Sequence, residues 1–140
     1  MWKTLALAGA LVCVLAISPA EARHRHHRHH HFHRIHDPSA VIVSHPAGCP
    51  ARAFCGCGAA VRIFGRPVRE LWLAANWFRF PRSSPAPGRV AVRRHHVFVL
   101  EADLGGGLWR VYDANSGGHQ TRIHARSIAG YTIVNPGGVS

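Results

Sequence analysis

Apolar residues change their spacing twice along this chain, and each change marks a different kind of element. An unbroken apolar run extends from Leu5 to Ile17. Between Cys55 and Phe64 the apolar positions Ala60, Val61 and Phe64 fit a short helix, and Gly65 stands where a C-terminal cap belongs. Pro67 suits the first turn of a second helix, in which Val68, Leu71, Trp72 and Ala75 follow the i, i+3, i+4, i+7 rule and which ends before Pro81. The loop PRSSPAPG follows, and past Gly88 the texture becomes that of strands. Residues 89–93, 96–101, 108–113 and 130–134 are rich in Val, Ile, Phe, Trp and Tyr. Gly105 to Gly107 and Ser116 to Gly118 supply the reversals. Val41 to Val43 reads as a short strand or docking segment. Helices first and then a mostly antiparallel sheet predict an α+β fold.

The run from Leu5 to Ile17 follows Lys3 and precedes a Ser-Pro break and Ala20-Glu21-Ala22, a small-x-small cleavage pattern. Residues 1–22 therefore read as a signal peptide, and the product as exported, periplasmic or secreted. The run is about 13 residues long, short of the roughly 20 that span a bilayer, so no transmembrane anchor is expected. Residues 23–40 form a His/Arg-rich segment whose first part, RHRHHRHHHFHRIH, holds eight His and four Arg. With only Phe32 and Ile35 to bury, it cannot offset its ordering entropy and is expected to be disordered. Residues 41–140 are the length of one domain, expected to act as a monomer.

Charge narrows the range of partners. The formal net charge is +11, and protonating all 13 His would carry it to +24. A basic exported protein suits an anionic partner: an envelope polymer such as peptidoglycan, lipid headgroups or nucleic acid. Nothing resembles a phosphate loop or a nucleic-acid module, and arginines are scattered through every element, so no specific nucleic acid is implied. The tail residues His24, His26, His27, His29, His30, His31, His33 and His36 are candidate weak ligands for Zn, Cu or Ni, and no cofactor is required.

Cys49, Cys55 and Cys57 survive cleavage of the leader, an odd count that leaves one thiol over in an oxidising compartment. Cys49 can pair with Cys57, leaving Cys55 free, or with Cys55, which would silence it. A zinc site from Cys55, Cys57, His95 and His96 is disfavoured. The one-residue cysteine gap is shorter than the usual knuckle, and adjacent strand histidines point to opposite faces. A thiol becomes a nucleophile where a helix N-terminus and an imidazole favour its anion. Cys55 opens the first helix, His95 and His96 begin a strand, and Asp113 and Asn115 end the next, where either could orient an imidazole. His119 and His124 read as loop or sheet-surface residues. Trp72, Trp77, Phe78, Phe80 and Trp109 read as core.

The stretches AFCGC (53–57), LAANW (73–77), PAPGRVAVRRHHVFVLE (85–101), WRVYDANSGG (109–118) and RSIAGYTIVNP (126–136) together resemble the CHAP and NlpC-type branch of papain-like cysteine hydrolases. That resemblance implies a papain-like fold, with N-terminal helices packed on the sheet, and a cell-wall amidase or endopeptidase. It matches Cys55 to the nucleophile, His96 to the general base and Asn115 to the residue that orients the imidazole, with Asp113 the alternative. Phe54 departs from the pattern, since relatives often place a Gln before the cysteine to help hold the oxyanion. Losing one such donor typically costs about 100- to 1000-fold in rate. The competing expectation is a non-catalytic envelope protein that keeps a degenerate papain-like fold and works through a His-rich metal- or anion-binding tail.

Overall fold

The computed structural model describes residues 39–137. The signal peptide expected at residues 1–22 and the tail histidines from His24 to His36 lie outside these residues. Among the described residues the strands are β1 (Val41–Val43), β2 (Val90–Arg93), β3 (His96–Gly105), β4 (Leu108–Ser116), β5 (Gln120–Ser127) and β6 (Thr132–Val134), and one α-helix, α1 (Cys55–Phe64), precedes all but β1. The strands form a single sheet in the order β1-β5-β4-β3-β2-β6, with every neighbouring pair antiparallel. The α+β class follows directly.

Helix α1 forms where the apolar spacing places it and stops at Gly65, whose φ of 69° lets its N–H turn back to the Val61 carbonyl. The segment after Pro67 departs from the expected helix. It folds instead into two short 3₁₀ turns, Arg69–Leu71 and Ala74–Arg79, separated at Leu73, whose backbone is extended. Side chains here take carbonyls that a continuous helix would have used. Trp77 Nε1 donates to the Leu71 carbonyl at 2.9 Å and Asn76 Nδ2 to that of Glu70 at 2.6 Å. Of the aromatics read as core, Trp77 and Trp109 are buried, while Phe78 is 45% exposed.

Strand alternation divides the core in two. On the face covered by α1 lie Val90, Val92, Val97, Val99, Tyr112, Ala114 and Val134, closed over by Phe54, Ala60, Leu71 and Trp77. On the other face Ala91, Phe98, Leu100, Trp109, Val111 and Ile133 are covered by Ile128 and Tyr131. Strand β5 is the element the sequence pattern missed. Its sequence, QTRIHARS, carries three charged or titratable side chains on one face, so it lacks the apolar richness by which the other strands were read.

Candidate functional site

Two glycines explain the spacing of the cysteine motif. A Cβ on Gly56 would meet the Leu71 carbonyl oxygen at 2.2 Å and that of Trp72 at 2.4 Å, and one on Gly58 would meet the Ala114 Cβ at 2.3 Å. Each glycine thus lets α1 press against a neighbour, the first on the 3₁₀ segment and the second on β4. The alternate positions carry the sulfurs. Cys57 is bonded to Cys49 with a Cα–Cα separation of 5.7 Å, ordinary for a disulfide, and Cys55 is a free thiol. The pairing is the one that leaves Cys55 unbridged.

The chain enters α1 through Ala53, a non-glycine residue at φ 53°, and then Phe54, which is fully buried and edge-on to His45. Holding a residue with a Cβ in this left-handed region costs roughly 1–2 kcal/mol, a cost that the packing of Phe54 sustains. No side chain caps the N-terminus of α1 and its first turn holds no acid. The positive end of the helix dipole therefore lies at Cys55 with no side-chain charge or cap to offset it.

His96 begins β3, one residue past the two-residue turn of Arg94 and His95, and pairs with Arg93 as the last rung of the β2–β3 hairpin. Its Nε2 donates to Asp113 Oδ1 at 2.8 Å, which leaves Nδ1 as its second polar atom. The Cys55 side chain lies near enough to the same ring to raise its proton affinity. Burial lowers the proton affinity of His96, but the bonds with Asp113 and Cys55 and the charge of Asp113 outweigh it and the opposing charge of Arg126. The ring is pushed up to about 9 from its ordinary 6.5. At neutral pH it is an imidazolium.

Asp113 is fully buried and is the hub of the site. Its Oδ2 accepts from His124 Nε2 at 3.1 Å, from Ser116 Oγ at 3.3 Å and from Arg126 Nη1. Burial alone would raise its pKa. The bonds from His124 and His96, with the charges of His96 and Arg126, instead hold the carboxyl well below the usual carboxylate range. A buried carboxylate persists only with such pairing.

Asp113 takes the imidazole contact for which Asn115 was the first candidate. The Asn115 carboxamide oxygen accepts from His119 Nδ1 at 3.0 Å. Register shifts between Asp113 and Ser116, and Asn115 sits at φ 56°, so it leaves the alternation that would have kept it beside Asp113. His119 is an exposed turn residue, as read from the sequence. His124 differs from that reading. Its side chain is only 11% exposed and is committed to Asp113. His124 and Arg126 escaped sequence reasoning because β5 did, and Ser116 because its Ser-Gly-Gly run reads as a reversal. Once β5 is paired with β4, alternation alone puts His124 opposite Val111, on the face that carries Asp113.

An open depression of about 500 Å³ borders His96, lined by Phe78, Arg94, His95, Tyr131 and Thr132 among others. Cys55 does not line it and is 6% exposed. Among the described residues no group of three or more His, Cys, Asp or Glu is arranged to hold a metal ion. Among them, too, no helix is long and apolar enough to cross a membrane. No family model matches this chain, and neither a curated protein nor a solved structure does.

Proposed function

We propose that this chain is an exported papain-like cysteine hydrolase that cleaves amide bonds in peptidoglycan peptides. The observation that supports this most is the order Cys55, His96, Asp113: a free sulfur at a helix start, a charged ring against it and a buried carboxylate behind the ring. In the reaction the Cys55 sulfur, as thiolate, attacks the amide carbonyl and forms a C–S bond. The oxygen takes up the negative charge facing the amides at the start of α1. The imidazolium of His96 gives its proton to the leaving amine as the C–N bond breaks. The now neutral ring then takes a proton from water, whose oxygen attacks the thioester and releases the acid and the sulfur. Asp113 keeps the ring in one tautomer throughout. The Cys49–Cys57 bond suits an oxidising compartment, and the net charge of +11 suits an anionic polymer.

The near burial of Cys55 favours a second reading, a non-catalytic envelope protein that retains the constellation. Digestion of purified cell wall by the mature chain, followed by assay of newly released amines, separates the two. The hydrolase reading expects release that falls roughly a million-fold in Cys55→Ala, roughly ten-thousand-fold in Asp113→Asn, and little in Asn115→Ala. Equal amine release from the wild-type and Cys55→Ala proteins would leave the binding reading standing.

A further inference from the structure

Three side chains alternate along β5 on the face that carries Asp113: Arg122, His124 and Arg126. The register sets Arg122 opposite Asp113, His124 opposite Val111 and Arg126 opposite Trp109. All three converge on one oxygen. His124 Nε2 and Arg126 Nη1 donate to Asp113 Oδ2 directly. Arg122 reaches it through a hydroxyl: its Nη2 and Nε donate to Ser116 Oγ at 2.6 and 3.1 Å, and Ser116 donates to Oδ2 at 3.3 Å. The other oxygen, Oδ1, faces His96 at 2.8 Å.

A carboxylate has two equivalent oxygens and a soft terminal torsion, so a single contact with His96 would leave its orientation loose. Three donors on one oxygen remove that freedom. Arg126 is itself pinned, since its Nη2 donates to the Tyr131 hydroxyl at 3.0 Å and its guanidinium lies 4.8 Å from the centre of the Phe98 ring. The hydroxyl of Tyr131 therefore acts on Asp113 at one remove.

We propose that Arg122, His124 and Arg126 are positioning residues that grip Asp113 by Oδ2 and so keep Oδ1 committed to His96, setting how readily Cys55 reacts. This rests on the reading of Cys55, His96 and Asp113 as one site, but its test needs no turnover. The groups facing His96 are Asp113, Cys55 and Arg126, with Arg93 its partner across the hairpin.

Removing Arg126 has two opposed effects on His96. Loss of a like charge raises the ring's proton affinity, whereas release of Asp113 lowers it. Positioning requires the second to win. In the mature chain, with Cys49 and Cys57 bridged, the experiment follows the His96 ring by NMR titration and the rate of Cys55 alkylation by iodoacetamide against pH. The wild-type midpoint is expected near 9. Arg126→Met is expected to lower it by about one unit or more, with the alkylation profile displaced. His124→Leu should lower it less, and His124→Gln, which keeps an N–H donor, should restore it. An unchanged or raised midpoint in Arg126→Met would overturn the proposal. If that variant does not melt cooperatively, Tyr131→Phe, which removes only the hydroxyl holding Arg126, takes its place. A smaller fall of the same sign supports the proposal, and no fall overturns it. A lowered midpoint in a protein that releases no amine from cell wall would retire the hydrolase and keep the positioning. An active enzyme with an unmoved midpoint would do the reverse.

Discussion

The two faces of the sheet solve different problems. The face under α1 is closed by Phe54, Trp77 and a layer of valines, with two glycines drawing the helix close. Its contacts are apolar and unforgiving of added volume. The opposite face has a smaller apolar cluster, and beside it a buried carboxylate with partners on three strands. Cys55 belongs to the first face and Asp113 to the second. His96, next to the hairpin turn, donates to Asp113 and has its proton affinity raised by Cys55 as well. Rigidity on one side and charge on the other thus converge at a strand end, where a ring is not confined to either layer.

The comparison breaks most sharply at Gly56. Gly56→Ala places a methyl carbon 2.2 Å from a backbone carbonyl oxygen, which has no side-chain freedom with which to retreat. A loss of more than about 3 kcal/mol is expected in urea unfolding, against a smaller loss for Asn115→Ala at the half-buried end of β4. Next in size is the Cys49–Cys57 bond, which closes a loop with a sequence separation of 8. Its reduction is expected to cost roughly 2–3 kcal/mol, read as a lower melting temperature in reductant, by the loop-entropy relation.

The most gradual effect belongs to the charged face and follows from its protons. His96 holds its proton more tightly when folded, so its contribution to stability is complete below pH 6.5 and is lost as the pH rises through about 9. Asp113 has the opposite sign. Its contribution is complete above its ordinary 3.8 and is lost as the pH falls below that value. Stability from this cluster should therefore be greatest from about pH 4 to 6.5 and decline on the alkaline side by at most about 1.4 kcal/mol per pH unit. Asp113→Asn should flatten that alkaline decline. A melting temperature that rises from pH 7 to 9 would contradict the coupling of the two groups.

Much of the site was legible in the sequence, for physical reasons that differ by residue. Cys55 could be placed because helix starts carry local signals, whereas the residues alone offered both His95 and His96 and only the family resemblance singled out His96. The choice between Asp113 and Asn115 was not legible, since both share a face in an ideal strand and only the register shift at the end of β4 separates them. Arg122, His124 and Arg126 were hidden for a related reason. A strand whose buried face binds a carboxylate looks polar on both sides. The second helix failed because its period was right while its carbonyls were claimed by Trp77 and Asn76.

The hairpin that delivers His96 turns in only Arg94 and His95, so the ring's place is fixed by counting as much as by chemistry. One residue added to or taken from that turn would shift the register and send the imidazole to the wrong side of the strand, with Cys55, His96 and Asp113 all still present. Loop length at this tip is therefore as much a part of the site as the identity of any residue in it.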